Sequence, residues 1–437
     1  MRERVIERMS DGPVPARGAV GFAVAQWRGI PVSGPRRACR RMLAAWLALA
    51  VACSGPAAPV FAVDAVGGTA VPDLQATVAA AVPDVAMASG VLVAPDGREL
   101  WSRDPGARRA MASTTKIMTA IVVLENAGLD EVITVSAQAA TVGESAADLR
   151  AGDTLTVAQA LEALLVKSGN DAAVVLAEHV AGSEAAFVEL MNAKASEMGL
   201  HETHFANPHG LDQTGHYTSA RDLAAMARYA MALPEFRRGV GLLSAVLDSP
   251  RGPRTLYSSN KLLLTYSGAN GVKTGWTDDA GYCLVASAER DGVELIAVVL
   301  GASDEQERFR QASKLLDWGF AHYGVRRLAQ AEQVVGSVPV SDYLDVEVRV
   351  LLPEDLSAQV FDLDGEIVRT VALPEEIDAP VTVDERVGTL TISQGGVLVA
   401  QAPVVAASNV TKPGVLEAIW IAIQRVWRGI FGEPAGT

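Results

Sequence analysis

The spacing of apolar positions predicts blocks of strand and helix over the central part of the chain. Apolar runs on both sides of Pro95-Asp96-Gly97 predict a β-hairpin over residues 85–101. Helical periodicity follows, and then two strands joined by Asp291-Gly292, a strong hairpin signal, precede a final helix. This order predicts an α+β domain in which helices flank an antiparallel sheet. The predicted helices cover 114–126, 157–166, 171–180, 185–198, 220–232 and 305–323, and the late strands cover 272–275, 282–289 and 293–301.

After residue 325 the pattern changes to the two-residue period of half-buried strands. Val346, Val348 and Val350 alternate with charged residues, and glycine turns and prolines divide the segments after them. These features predict a small all-β domain over residues 329–406. It contains no histidine or cysteine, so we expect it to be a scaffold or spacer.

Residues 413–431 form the last predicted element, an amphipathic helix. Trp420 and Trp427 fall on its apolar side, while Arg425 and Arg428 fall on the other. This arrangement is typical of a helix that lies in a membrane interface, and the charges prevent it from spanning a bilayer. The alternative is a terminal helix that packs on its own domain or on a partner.

The first 62 residues have the pattern of an export signal. Four arginines between Arg36 and Arg41 precede an apolar run, Met42 to Cys53, and the small-residue site Val60-Phe61-Ala62 follows. We expect residues 1–62 to be an extension and a secretory signal peptide that is cleaved after Ala62. A lipoprotein anchor at Cys53 is disfavoured because Ala50 stands where such signals prefer leucine. The mature protein is therefore expected in the periplasm or on the outer face of the cytoplasmic membrane.

The net charge narrows the possible partners, and the cysteine content narrows the possible chemistry. The formal net charge of the 437 residues is −14, and the predicted signal has nine arginines against three acidic residues, so its removal leaves −20. A surface this acidic disfavours nucleic acid as a partner. Cys283 is the only cysteine after the signal, and its apolar strand predicts a small buried side chain, not a catalytic thiol.

Three short motifs occur in the order Ser113-Thr114-Thr115-Lys116, Ser168-Gly169-Asn170 and Lys273-Thr274-Gly275. A serine becomes a good nucleophile only when a base takes its proton. Lys116 follows Ser113 by one helical turn, and its apolar neighbours predict burial, which lowers the pKa of a lysine. The order S-x-x-K, S-x-N, K-T-G therefore predicts an active-site serine enzyme.

Similar short patterns elsewhere in the chain lack this context. A second S-x-x-K covers Ser258 to Lys261, but no helix of comparable strength follows it, so we interpret it as a coincidence in a loop. His201 and His204 are three residues apart, which differs from the H-E-x-x-H spacing of a zinc site. We expect neither a metal nor a cofactor, and His179, His216 and His322 are interpreted as ordinary helix or loop residues.

From about Val66 onwards the chain resembles the low-molecular-mass penicillin-binding proteins of the D-alanyl-D-alanine carboxypeptidase type. Besides the three motifs, Ser168 to Ala172 resembles the family's SGNDA helix, Asn207 to Asp212 its HGLD loop, and Thr218 to Asp222 its S/T-A-R-D segment. The resemblance implies a penicillin-binding, β-lactamase-like transpeptidase domain over 66–325, followed by the β domain and the amphipathic helix.

The resemblance also implies roles for individual residues. Ser113 would attack the carbonyl of the penultimate D-Ala, Lys116 would act as general base, and Ser168 would relay a proton to the leaving nitrogen. Backbone N–H groups of Ser113 and Trp276 would form the oxyanion hole. The identity of the base and the role of His209 stay open. The substrate-binding residues implied are Asn170, Lys273, Thr274, Gly275, Trp276 and Arg308.

The implied function is a serine D,D-carboxypeptidase that removes the terminal D-Ala from peptidoglycan stem peptides and is acylated by β-lactams. A D,D-endopeptidase is the main alternative. A β-lactamase is disfavoured because Ser168-Gly169-Asn170 differs from S-D-N and the chain has no E-x-x-L-N. The intact motifs argue against a non-catalytic wall-binding protein.

Overall fold

The computed structural model of the chain describes residues 60–62, 82–248 and 252–431. The predicted signal before residue 60 lies outside the described residues. Val60–Ala62, directly before the predicted cleavage position, form a short strand that pairs antiparallel with residues 370–372. These three residues are thus the outermost strand of the six-stranded sheet in the C-terminal β domain.

The strands form one five-stranded sheet, one six-stranded sheet and three two-stranded sheets. In chain order they are β1 (Val60–Ala62), β2 (Ser89–Val93), β3 (Glu99–Arg103), β4 (Val132–Thr134), β5 (Thr154–Thr156), β6 (Ser244–Leu247), β7 (Arg254–Tyr257), β8 (Ala269–Thr277), β9 (Gly281–Arg290), β10 (Val293–Ala302), β11 (Tyr323–Ala329), β12 (Val334–Pro339), β13 (Glu347–Leu351), β14 (Leu356–Phe361), β15 (Ile367–Ala372), β16 (Arg386–Gln394) and β17 (Val397–Ala406).

Most helices lie between β3 and β8. In chain order they are α1 (Lys116–Asn126), α2 (Val157–Leu165), α3 (Asn170–Ala181), α4 (Glu184–Glu197), α5 (Ala220–Met231), α6 (Pro234–Val240), α7 (Leu262–Thr265), α8 (Glu305–His322) and α9 (Val415–Phe431). Single 3-10 turns cover Ala112–Thr115 and Ala139–Thr141.

The first domain is built on a five-stranded antiparallel sheet in the order β3-β2-β10-β9-β8. Two hairpins supply four of these strands, and both were predicted. Asp291 and Gly292, between β9 and β10, have φ angles of +51° and +75°, as the favoured two-residue hairpin turns require. β8 lies at one end of this order, so one of its edges has no strand partner among the described residues.

Helices cover both faces of this sheet. Val91, Val285 and Val298 face the core that the helices α1 to α6 form. Leu92 and Leu295 point to the opposite face, where they pack with residues of α8. Because both faces are covered, the central strands are largely apolar, and all five residues of β2 are buried. The predicted α+β architecture is confirmed.

The turn that contains the first motif differs from the prediction. A helix was expected from Thr114, whereas Ala112–Thr115 form a 3-10 turn and α1 begins at Lys116. The hydroxyl of Thr114 donates to the Met111 carbonyl at 2.6 Å, and that of Thr115 donates to the Ala112 carbonyl at 2.8 Å. Such local bonds compete with the α-helical pattern. They hold Ser113 in a tighter turn that ends where Lys116 starts the helix.

The second domain is all-β, as predicted. Its main sheet has the order β1-β15-β16-β17-β13-β12, and β11 pairs separately with β14. Val338, Val350 and Ile392 are fully buried in its core. β11 begins at Tyr323, directly after α8, so the β structure starts before residue 329, where the alternating pattern was expected to begin.

The predicted C-terminal helix is present as α9, with bounds of Val415–Phe431. Its apolar side is exposed: Trp420 retains 59% and Trp427 52% of its accessible surface. The opposite side contacts the β domain, because Arg428 pairs with Asp345 at 2.8 Å and Arg425 donates to the Ser341 carbonyl at 2.7 Å. Among the helices of the described residues, none has the length and apolar content to cross a membrane.

Candidate active site

Lys116 lies at the centre of the site and has three polar partners. Its Nζ is 2.7 Å from Ser113 Oγ, 2.7 Å from Asn170 Oδ1 and 2.6 Å from the His209 carbonyl oxygen. The side chain is fully buried. An amide oxygen and a carbonyl can only accept hydrogen bonds, so a neutral Lys116 donates its two N–H groups to them. Its lone pair is then left for Ser113, which is the only partner that can give up a proton.

The surroundings of Lys116 favour this neutral form. Burial lowers the pKa of Lys116 well below its usual value, and the nearby charge of Lys273 lowers it further. Asp171 and Glu144 act in the opposite direction, to a smaller extent. Lys116 can therefore serve as the base that activates the Ser113 hydroxyl.

Ser168 and Lys273 form a second pair beside the first. Lys273 Nζ donates to Ser168 Oγ at 2.8 Å and to the Thr274 carbonyl at 2.9 Å. Burial, with a contribution from Arg308, lowers the pKa of Lys273 to about 7. Ser168 has a left-handed φ of +66°, a conformation that costs an L-residue about 1–2 kcal/mol. That strained turn between α2 and α3 directs its hydroxyl to Lys273.

Asn170 begins α3 and is anchored on both sides. Its amide nitrogen donates to the Gly143 carbonyl at 2.9 Å while its oxygen accepts from Lys116. The buried carboxylate of Asp171 accepts from the backbone N–H of Ala147 at 2.9 Å and of Leu149 at 3.0 Å. These bonds attach the 143–149 loop to the start of α3, and so they fix the orientation of the Asn170 amide.

Two glycines bring separate segments against the turn that contains Ser113. A Cβ added to Gly275 would lie 3.0 Å from the Ser113 nitrogen, so a side chain would push β8 away from the nucleophile. Gly210 has a φ of +95°, and a Cβ there would lie 2.1 Å from the Ala112 carbonyl oxygen. Both positions require glycine because the backbones approach so closely.

Arg308 projects from α8 towards β8. Its Nη1 donates to the Gly275 carbonyl at 3.0 Å, and its guanidinium lies 5.5 Å from the ring centre of Tyr282. Only 6% of the residue is exposed, and burial lowers its pKa. Trp276 follows Gly275 with 48% of its surface exposed, and its ring centre is 6.0 Å from that of Tyr282. The structure thus brings every predicted site residue to one region around β8 and the Ser113 turn.

Two histidines support the site without being charged at neutral pH. Burial lowers the pKa of His209 to about 3 and that of His216 to about 4. His209 Nδ1 accepts from the Leu211 N–H at 3.2 Å, while its carbonyl binds Lys116. His216 lies in a loop, as predicted. It is buried, however, and its Nε2 lies 2.8 Å from Thr115 Oγ1, directly behind the turn.

The similar sequence patterns do not form competing sites. Ser258 Oγ accepts from the Asn260 N–H at 3.2 Å, whereas Lys261 pairs with Glu305 at 2.8 Å. His204 Nδ1 is 2.7 Å from the Gly215 carbonyl oxygen. No cluster of metal-ligating side chains occurs in the ranges that the structure describes. Cys283 is buried and its pKa is raised to about 11 by burial, which is inconsistent with a reactive thiol.

Comparison with known proteins places these features in a family. Residues 76–304 match the family described as D-alanyl-D-alanine carboxypeptidase, and residues 323–412 match the C-terminal domain of penicillin-binding protein 5. The chain belongs to the D-alanyl-D-alanine carboxypeptidase family. It is thereby a serine hydrolase of the low-molecular-mass penicillin-binding type, as the motifs indicated.

Individual family members resemble the chain over most of its length. The D-alanyl-D-alanine carboxypeptidase DacF of Bacillus subtilis is 35% identical over 339 residues, which are 75% of this chain and 87% of that protein. DacA of Escherichia coli is 30% identical over 80% of this chain and 90% of its own length. The crystal structure of DacD from Francisella tularensis matches with a TM-score of 0.58 and 29% identity, covering 76% of this chain and 95% of that one.

The burial of Lys273, which lowers its pKa, predicts a distinctive pH dependence of the stability of the protein. Between about pH 7 and 10.5 the unfolded chain holds a proton on this lysine that the folded chain lacks, so folding becomes more favourable as pH rises through that window. Lys273→Met removes this contribution. We expect the melting temperature of the variant, relative to the unsubstituted chain, to be highest near pH 7 and to decline towards pH 10.

Differential scanning fluorimetry at several pH values measures this difference. Lys314→Met is the matched control, because it removes a lysine that is exposed on α8 and not buried. A difference for Lys273→Met that stays constant from pH 7 to 10 would show that the lysine is not perturbed by burial.

Proposed function

We propose that Ser113 is the nucleophile and Lys116 the general base of a D,D-carboxypeptidase acting on peptidoglycan stem peptides. The observation that supports this most is the set of partners around Lys116 Nζ. Two of them can only accept hydrogen bonds, which leaves the lone pair of the neutral amine for the Ser113 hydroxyl. A serine with a buried neutral base at 2.7 Å has the geometry of nucleophilic catalysis.

In the proposed first step the bond from Ser113 Oγ to the carbonyl carbon of the penultimate D-Ala forms, and the serine proton moves to Lys116. The negative charge on the carbonyl oxygen is stabilised by the N–H groups of Ser113 and Trp276. The amide C–N bond then breaks. Ser168, whose oxygen accepts from Lys273, has its own proton free to pass to the leaving nitrogen, and Lys116 restores it.

In the second step water attacks the ester on Ser113. Lys116 takes a proton from that water and returns it to Ser113 as the ester bond breaks. The products are a shortened stem peptide and free D-Ala. A β-lactam acylates Ser113 in the same way, when the serine attacks its strained amide bond. It stays attached until water hydrolyses the ester.

The proposed recognition of the substrate depends on positive charge. Lys273 and Arg308 are buried beside β8, and the charge of Arg308 is close enough to lower the pKa of Lys273. A carboxylate at the end of the substrate would supply the missing negative charge, with the Thr274 hydroxyl as a further donor. Asn170 would hold the substrate amide. This requirement favours peptides with a free C-terminus.

We further propose that the protein is exported and associates with a membrane surface through α9. The exposed apolar side of α9 includes Ile423 and Ile430 besides its two tryptophans. Arg425 and Arg428 attach the other side to the β domain, which directs the apolar side away from the protein. Burying two tryptophans in lipid provides several kcal/mol of binding free energy, about 25 cal/mol for each Å² of apolar surface.

Labelling with a fluorescent penicillin tests the catalytic assignment. The chain should form a covalent adduct and should release D-Ala from a pentapeptide that ends in D-Ala-D-Ala. Ser113→Ala should lose both activities, by at least about a thousandfold, because the nucleophile is gone. Ser258→Ala, at the second S-x-x-K, is the matched control and should retain both.

An adduct that persists in Ser113→Ala would overturn the assignment of the nucleophile. Cleavage of cross-linked peptides without release of D-Ala from the pentapeptide would instead identify an endopeptidase.

Flotation with vesicles of phosphatidylethanolamine and phosphatidylglycerol tests the role of α9. Replacing Trp420 and Trp427 by serine should reduce vesicle binding at least about tenfold, since most of the apolar contact is lost. Val397→Ser changes an apolar residue of β17 that is 70% exposed, and it should leave binding unchanged. If the unsubstituted chain and both variants float equally, the result would favour a helix whose apolar side packs against protein.

A further inference from the structure

Ser259 lies beside the K-T-G strand although no motif includes it as a functional residue. It belongs to the segment between β7 and α7 that contains the second S-x-x-K, residues 258–261. Its Oγ is 2.6 Å from Thr274 Oγ1. Ser259 is partly buried, and Thr274 is 5% exposed. A short bond between two hydroxyls at this position calls for a functional explanation.

The same segment also reaches Arg308. Lys261 pairs with Glu305 at 2.8 Å, and the same oxygen of Glu305 lies 3.6 Å from Arg308 Nη2. Arg308 in turn donates to the carbonyl of Gly275, the residue after Thr274. Ser259 and Lys261 therefore lie on the side of the site that contains Thr274 and Arg308, where the substrate carboxylate would bind. The Ser258 hydroxyl instead contacts Asn260 of its own loop.

The chemistry of the two hydroxyls determines what Ser259 can do. Each hydroxyl has one proton to donate and can accept from another group. If Thr274 donates to Ser259, its proton is not available to a ligand. If Ser259 donates to Thr274, the Thr274 proton is free, and the bond it accepts makes it a better donor to a carboxylate.

We propose that Ser259 is a positioning residue for recognition of the terminal carboxylate. It donates to Thr274 Oγ1, so that Thr274 directs its own proton to the carboxylate of the substrate. This inference rests on the proposed D,D-carboxypeptidase function. Because the carboxylate is present before and during acylation, Ser259 contributes to binding of the substrate and of the transition state alike, and its loss should raise KM with little change in kcat.

Steady-state release of D-Ala from the pentapeptide tests this role. Ser259→Ala should raise KM about fivefold, the effect of one hydrogen bond of ordinary strength, and kcat should stay within about twofold. Ser259→Thr keeps the hydroxyl and should restore KM. Ser258→Ala, the neighbouring control, should match the unsubstituted chain in both constants. Equal melting temperatures would show that all variants are folded.

A double-mutant cycle with Thr274→Val shows whether Ser259 acts through Thr274. The measured quantity is the second-order rate constant of acylation by benzylpenicillin, which also has a free carboxylate. We expect Ser259→Ala to lower it about fivefold in the unsubstituted chain and to have no further effect in the Thr274→Val background.

The outcomes separate this inference from the function on which it rests. Independent, multiplicative losses in the cycle, or an effect on kcat alone, would overturn the role of Ser259 and leave the carboxypeptidase assignment intact. Failure of the unsubstituted chain to be acylated or to release D-Ala would overturn both. An equal loss with the methyl ester of benzylpenicillin would also contradict the inference, because the ester has no carboxylate for Thr274 to bind.

Discussion

Burial of two lysines without a carboxylate partner is the constraint on which the site depends. Lys116 and Lys273 are at most 1% exposed, and within the described ranges neither ammonium forms an ion pair. A buried cation that lacks a counter-charge costs several kcal/mol. One consequence is that Lys116 can be neutral beside Ser113. The other is that Lys273 can bind an anionic ligand.

The rest of the domain holds these groups in place with backbone and neutral polar groups. Lys116 is surrounded by an amide oxygen and a carbonyl, and Lys273 by a hydroxyl and a carbonyl. Gly275 lets the outermost strand lie directly against the turn that contains Ser113. No protein carboxylate in the described ranges pairs with either lysine, so an anionic ligand would supply the missing negative charge. The proposed specificity for a free C-terminus follows from this arrangement.

The sequence allowed much of this arrangement to be predicted, because the motif residues and the long periodic segments have local signals. The hairpins around residues 95–97 and 291–292 are confirmed, although the first strand begins at Ser89 and not at Val85. Helices such as α2 and α3 are also confirmed, and their ends shift by one residue at most. The short strands β4 to β7 were missed, since three or four residues are too few to show a period. α1 starts later than predicted because threonine hydroxyls tighten the preceding turn.

Within the site, the missed residues act through contacts that join distant parts of the chain. Ser259 has no sequence signal of its own, because its partner Thr274 is 15 residues away in the chain. His216 lies in a loop, as predicted, but it is buried because its ring nitrogen contacts the buried hydroxyl of Thr115. Local sequence spacing predicts neither contact. The two residues of each pair meet only when the helices and β8 pack around the Ser113 turn.

The ionisation of the two lysines tests the central claim most directly. NMR of the chain labelled with carbon-13 at the lysine ε position would follow each side chain through a pH titration, with Lys116→Met and Lys273→Met assigning the two resonances. We predict that both lysines lose their protons well below 10.5, the Lys273 resonance near pH 7. We also predict that a bound D-Ala-D-Ala peptide returns Lys273 to its charged form at that pH. Titration of both lysines near 10.5, or no response of Lys273 to the peptide, would contradict the account.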